Sequence, residues 1–213
     1  MRNKKYDTIL FDMDGTLIDS DPMIEESFNQ LCDLYRDGKK FTKEEVIYFS
    51  GPPIRETLAK YFPNIDTDFL YSEFHRICLP LYKTHVFPFP YCYEVLENLQ
   101  KAGFKLGIVT NKQHGLTEVA LQYLHLDKFF SVIVGLNDVS RGKPDGEGMK
   151  KAISLLNANK AIYIGDNAID YESAKNANID CCLVRWGPRE LDASVKPTFF
   201  INSYQELEDN LYE

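Results

Sequence analysis

Apolar residues along this chain gather in short continuous runs rather than in strict alternation with polar ones. Five runs are rich in β-formers: TILFD (8–12), KLGIVTN (105–111), SVIVG (131–135), AIYIGD (161–166) and CCLVRW (181–186). Helix-period patterns fill the gaps between the later runs, over Leu116 to Leu124, Met149 to Leu156 and Ile169 to Ala177. A strand that is apolar throughout needs cover on both faces. Alternation with helices therefore predicts an α/β fold, a parallel sheet sandwiched between helical layers. The C-terminal TFFINSYQELEDNL is expected to add a last strand and helix.

One interval breaks the rhythm. About ninety residues separate the first and second runs, where a βαβ crossover takes roughly thirty in all. The extra segment lacks strand signals and reads as helices over Met23 to Tyr35, Lys43 to Phe49, Ile54 to Tyr61 and Asp68 to Tyr82, with VFPFPYC (86–92) marking the return. The expected organisation is a core of residues 1–18 and 88–213 carrying an all-helical cap of residues 19–87.

The first, second and fourth runs each end in polar residues: Asp12 and Asp14, Thr110 and Asn111, Asp166 and Asn167. Open α/β sheets bind ligands just beyond the carboxyl ends of their strands, so these three ends predict one site. The wider composition narrows what that site handles. A formal charge of -8 argues against a nucleic-acid partner. The N-terminal apolar run is too short for a signal peptide, and nothing approaches the length of a membrane-spanning helix. Five cysteines with no C-x-x-C spacing read as free thiols, in keeping with a cytoplasmic protein without a zinc site.

DMDGTLIDSD (12–21) concentrates carboxylates at the edge of a core, which is costly unless a positive partner meets them. A calcium loop starting at Asp12 would need Gly and Glu where Leu17 and Met23 stand. Asp19, Ser20 and Asp21 precede a helical pattern and fit an N-cap; Asp12 and Asp14 come too early for that. Two carboxylates at i and i+2 on extended backbone point the same way, and a hard cation such as Mg2+ would offset their repulsion. Asp12 could then attack an electron-poor centre while Asp14 exchanges a proton. GEGMKK (146–151) lacks the third glycine and the preceding strand of a dinucleotide fingerprint.

DMDGT after a hydrophobic strand, IVTN, RGKPD and YIGDNAIDYESAKNAN resemble, in order, the four motifs of the haloacid dehalogenase superfamily of phosphatases. The resemblance implies that superfamily's Rossmann-like core and gives each residue a role. Asp12 would be the nucleophile that forms an aspartyl-phosphate, and Asp14 the general acid and base whose backbone carbonyl helps to bind Mg2+. Thr110 and Asn111 would hold phosphate oxygens, Lys143 would balance the gathered negative charge, Asp166 would ligate the metal, and Asp170 would support it from behind or through water.

A helical insert between the first two motifs is similar to the phosphoglycolate phosphatase-like branch, and SGPPIRETLAKYF (50–62) resembles that branch's cap segment. Arg55 is the cap candidate for a second substrate anion; Lys83 and His85 are further candidates near the hinge. Asp14 favours phosphoryl transfer, because dehalogenases lack an aspartate two residues after the nucleophile. The expected activity is hydrolysis of a small phosphate monoester (phosphoglycolate-like), followed by pyrophosphate hydrolysis and then sugar-phosphate mutase chemistry. A catalytically silent binding protein on the same fold is the non-enzyme alternative. The expected partner is a small phosphorylated metabolite, and the expected state a monomer or homodimer. The chain departs from the usual pattern in the return PFPYCYEVL, which lacks a Pro-Gly turn, and at Gly146, where a second proline often follows the third motif's K-P.

Overall fold

A computed structural model describes residues 3–213. Six strands form one parallel sheet: β1 (Thr8–Phe11), β4 (Lys105–Val109), β5 (Val132–Val134), β6 (Ala161–Gly165), β7 (Asp180–Val184) and β8 (Phe199–Ile201). Their order is β5-β4-β1-β6-β7-β8, so β1 lies in the middle, with Phe11 level with both Ile108 and Ile164. Successive side chains of a strand point to opposite faces, and the apolar runs separate accordingly. Ile9, Phe11, Ile108, Ile162 and Ile164 join one buried cluster, whereas Leu10, Val109, Tyr163 and Leu183 join the other.

The first cluster is covered by α5 (Cys92–Lys101), α6 (His114–Tyr123) and α9 (Gln205–Asn210); the second by α7 (Glu147–Leu155) and α8 (Ala168–Ala177). The sequence patterns for α6, α7, α8, β8 and α9 match helices and a strand here to within a few residues. Helix α5 was not among the expected elements. Its buried Cys92, Val95, Leu96 and Leu99 nonetheless follow the i, i+3, i+4, i+7 spacing of an amphipathic helix.

The insert is helical, as expected: α1 (Asp21–Tyr35), α2 (Lys43–Val46), α3 (Ile54–Tyr61) and α4 (Thr67–His85). It has its own aromatic centre, in which Phe28 meets Phe49 at 4.4 Å and Phe74 at 5.7 Å between ring centroids. Two short strands, β2 (Ile18–Asp19) and β3 (Phe87–Pro88), pair antiparallel where the chain leaves and re-enters the core. This ribbon was not expected, because two-residue strands carry no periodicity. At the start of α1, Ser20 occupies the N-cap position without a capping side-chain bond, and it is Asp19 Oδ1 that accepts the Asp21 N–H, at 3.2 Å. No described helix is long and apolar enough to cross a membrane, and all five cysteines are free and buried.

Candidate active site

Beyond Phe11 the chain stops being a strand and turns through Asp12 to Thr16, and that turn is shaped by Gly15. Its φ of +83° suits glycine, and a Cβ there would lie 2.4 Å from Asp166 Oδ2. The turn is therefore pressed against the end of β6. Trp186 Nε1 donates to Gly15 O at 3.2 Å and Tyr204 Oη to Thr16 O at 2.7 Å, which fixes it from the C-terminal side.

Lys143 enters the same place from the loop before α7, after a backbone N–H bond to Asn111 Oδ1 at 2.8 Å and ahead of a cis bond to Pro144. Its ammonium group is buried, 2.8 Å from Asp12 Oδ1 and 2.7 Å from Asp170 Oδ1, and it reaches Tyr163 Oη at 3.0 Å. Burial alone would lower the Lys143 pKa, but the two carboxylates outweigh it and hold the charge on. Burial pushes Asp12 up to about 6, although Lys143 pulls the other way.

Asp170 has both oxygens engaged. Oδ1 takes Lys143, and Oδ2 accepts the backbone N–H groups of Asp166 and Asn167 at 3.0 and 2.9 Å. With Asn167 at the N-cap it closes the first turn of α8, so it braces the start of the helix and orients Lys143 at once. Gly165 belongs to this arrangement, since a Cβ there would stand 2.5 Å from the Asp170 carboxylate.

Two cations not singled out in the sequence complete the cluster. Lys112 Nζ bonds both oxygens of Asp14 at 2.8 Å. Burial favours the neutral form of Asp14, but Lys112 outweighs it and holds the pKa below the usual carboxylate range. Asp14 therefore sits in the proton-accepting form, and Lys112 must release an oxygen before Asp14 can carry a proton. The sequence signal for Lys112 was its place directly after Asn111, at a strand end already singled out. Arg189, in the irregular loop after β7, donates to Asp166 at 2.7 Å and to Asp21 at 2.8 Å. No period marks that loop.

The carboxylate oxygens of Asp12, Asp166 and Asp170 come within 4.8 Å of one another, all buried. Five carboxylates, those three with Asp14 and Asp21, meet three cations here: Lys112, Lys143 and Arg189. Burial, with Asp170 and Asp12 close by, holds Asp166 up at about 8 despite Arg189. With all five carboxylates ionised the surplus is two negative charges on hard oxygen donors, which fits a divalent cation such as Mg2+. Asp14 stands apart from that trio, its side chain turned to Lys112.

Above these groups a cavity opens between core and cap. Asp12, Asp14, Thr110, Asn111, Lys112 and Lys143 line its floor, and Arg55, Tyr71, His75 and Tyr82 line the cap side. The Thr110 hydroxyl accepts the Lys112 N–H at 3.2 Å. Asn111 holds the Lys143 loop and also donates to Gly51 O of the cap at 3.2 Å, so its amide is engaged in joining the two halves. Arg55 lies over the Tyr71 ring at 3.9 Å and pairs with Asp68. Lys83 and His85, in the last turn of α4, do not line the cavity.

The chain is similar to several known proteins over nearly its whole length. A pyrophosphatase PpaX of Listeria monocytogenes is 36% identical over 208 residues, covering 95% of each chain. One from Bacillus cereus is 33% identical over 208 residues, again covering 95% of each. Among solved structures, a Bacteroides fragilis chain assigned to the haloacid dehalogenase-like hydrolases aligns with a TM-score of 0.82 at 26% identity, over 95% of this chain and 100% of that one. A haloacid dehalogenase-like hydrolase of Streptococcus pneumoniae gives 0.83 at 22% identity, over 95% and 97%. The sequence profile of the haloacid dehalogenase-like hydrolases matches residues 9–184, from β1 through β7, and with three motifs at the ends of β1, β4 and β6 and Lys143 of the other reaching Asp12 from the loop before α7, the chain belongs to that family.

Proposed function

We propose that the protein is a Mg2+-dependent phosphatase that hydrolyses a small phosphorylated metabolite through an aspartyl-phosphate on Asp12, with inorganic pyrophosphate as the leading substrate. The observation that carries the chemistry is Lys143, buried between Asp12 and Asp170 at the floor of a cavity that also exposes Asp14 and Thr110. From the motifs alone, monoester hydrolysis ranked ahead of pyrophosphate hydrolysis. Two findings support reversing that order: the names of relatives that match nearly the whole chain, and the three cations lining one cavity, Lys143, Lys112 and Arg55. Pyrophosphate carries charge at both ends. A monoester without a second anion would leave Arg55 on its cap partners Asp68 and Tyr71.

In this reading Asp14, ionised in the resting site, first takes up a proton from solvent as Lys112 turns from it to the incoming substrate. The Asp12 carboxylate then attacks phosphorus, the bridging P–O bond breaks, and the departing phosphate takes that proton from Asp14. Water then attacks the aspartyl-phosphate, Asp14 accepts its proton, and the Asp12 carboxylate is restored with release of the second phosphate. Lys143 keeps Asp12 ionised and offsets charge on the transferring group, with Thr110 beside it to donate to a phosphate oxygen. Asp12 and Asp166, with the Asp14 backbone carbonyl and Asp170 in support, would hold Mg2+, which supplies neutralisation of the phosphoryl oxygens. The cap excludes bulk water and brings Arg55 to the far end of the substrate.

The test is steady-state turnover, with and without Mg2+, on a panel holding pyrophosphate, phosphoglycolate, sugar phosphates and a chromogenic monoester. Pyrophosphate should give the highest kcat/KM, and only with the metal. A preference for a monoester would return the assignment to the phosphoglycolate phosphatase-like reading. Absence of metal-dependent turnover on every member would sink the enzyme reading and leave a binding protein.

A further inference from the structure

Arg189 lies outside the four motifs, yet it makes the closest side-chain contact to Asp166. Its side chain is 4% exposed, and its two terminal nitrogens are divided between Asp166 Oδ2 in the core and Asp21 Oδ1 at the start of the first cap helix. Its Nε is buried with no hydrogen-bond partner among the described residues, so the guanidinium is committed to those two carboxylates. Asp166 Oδ1 receives only a long contact from Thr16 Oγ1, at 3.4 Å. Oδ2 of Asp166 is thus clamped, whereas Oδ1 keeps only that long contact among the described residues, in a carboxylate that lies within reach of Asp12 and Asp170.

The loop that carries Arg189 grips the other side of the site as well. Trp186, three residues earlier, donates to Gly15 O and packs on Phe89 and Tyr204 at 5.5 and 4.7 Å. Gly15 is the residue whose missing side chain makes room for the Asp166 carboxylate.

We propose that Arg189 is a positioning residue for the metal centre: it fixes Asp166 with one oxygen free for Mg2+, and it is itself anchored by Asp21, which makes the base of the cap part of the metal site's support. The inference rests on the Mg2+ reading above and goes beyond it, because neither the motifs nor the named relatives assign this residue a role. The opposite arrangement, a guanidinium that occupies the metal's place and must be displaced, would have its nitrogens spread over the cluster. The observed contacts touch one member of the cluster, Asp166, through a single oxygen, and the other nitrogen turns to Asp21, with no bond to Asp12 or Asp170 among the described residues.

Calorimetric titration of Mg2+ alone, at fixed pH and without substrate, tests this on the wild-type chain and on Arg189→Met, Arg189→Lys and Asp21→Ala. Loss of a group that orients a metal ligand weakens affinity by about 10–100-fold, and that loss is expected for Arg189→Met. Arg189→Lys can hold one carboxylate but not both, so it should recover part of the loss. Asp21→Ala should show a smaller but measurable weakening. Saturating Mg2+ should bring kcat of each variant back towards wild type, because the reacting groups are untouched. Wild-type binding combined with unchanged or tighter binding in Arg189→Met overturns the proposal. Should that variant not fold, unchanged affinity in both Arg189→Lys and Asp21→Ala overturns it equally. A wild-type chain that takes up no Mg2+ removes the metal reading and this inference together.

Discussion

Asp12, Asp14 and Asp166 could be named before any coordinates, because carboxylates at the ends of apolar strands are expensive and so conspicuous, whereas Lys143 was legible only through the resemblance of RGKPD to the family's third motif. What could not be read was how each is held. Asp14 has Lys112 on both oxygens, Asp170 serves a helix start and Lys143 simultaneously, and Asn111 ties the Lys143 loop to the cap. These partners are distant in sequence, Lys112 from Asp14 by 98 positions, and no local pattern encodes such a pairing. Gly15 is legible only in part. Its place in DMDGT marks a turn, but its neighbour across the turn, Asp166, appears only in the fold. Gly15→Ala should lower the unfolding free energy by about 1–2 kcal/mol from backbone conformation alone. It should also weaken Mg2+ binding, because the added Cβ displaces the Asp166 carboxylate. Denaturant unfolding and metal titration would check the two effects, and an unchanged metal affinity would contradict the close approach described here.

At the scale of elements, the long apolar strands and the periodic helices were readable, and the short or irregular pieces were not. The β2–β3 ribbon is two residues on each side, too brief for alternation to register, yet it sets where the cap joins the core. Helix α5 did carry an amphipathic pattern, but it begins immediately after a Pro-rich return and at Tyr91, whose φ is +65°. Such a start hides the usual N-cap signal. In the cap, α3 delivers Arg55 to the cavity wall across from Lys143, with the Tyr71 ring of α4 beneath it. If Arg55 binds the far end of the substrate, Arg55→Ala should raise KM for pyrophosphate about tenfold or more while kcat for a chromogenic monoester stays near wild type. Equal effects on both substrates would place Arg55 in cap structure, through Asp68 and Tyr71, rather than in recognition.

For the whole molecule, the decisive quantity is the unbalanced charge buried where core and cap meet. Asp166, held at about 8, binds more protons in the folded chain than in the unfolded one between its ordinary value and that point. Stability of the metal-free protein should therefore fall as pH rises through that window. Asp12, raised to about 6, adds to the lower part of it, while His75, whose pKa burial lowers, opposes them below its ordinary value. Above about pH 6.5, the ordinary value for histidine, the Asp166 effect leads, and towards about pH 8.5 the buried thiols, whose pKa burial also raises, add to it with the same sign. Thermal unfolding between there and about pH 8.5 should show Tm declining without metal. Saturating Mg2+ should raise Tm and flatten that decline, because a bound cation favours the ionised carboxylate. A metal-free Tm that climbs across this range, or a Tm indifferent to Mg2+, would contradict the charge balance inferred for the site.

The central claim is that phosphoryl transfer passes through Asp12. Rapid acid quench of the wild-type chain during turnover of pyrophosphate with Mg2+, followed by mass mapping of its peptides, addresses that claim most directly. The account predicts one phosphoryl group on the peptide containing Asp12, formed and lost at rates compatible with turnover, and neither phosphoryl group nor turnover in a folded Asp12→Asn chain. Turnover that persists in Asp12→Asn, or a phosphoryl group mapped to another residue, would contradict it.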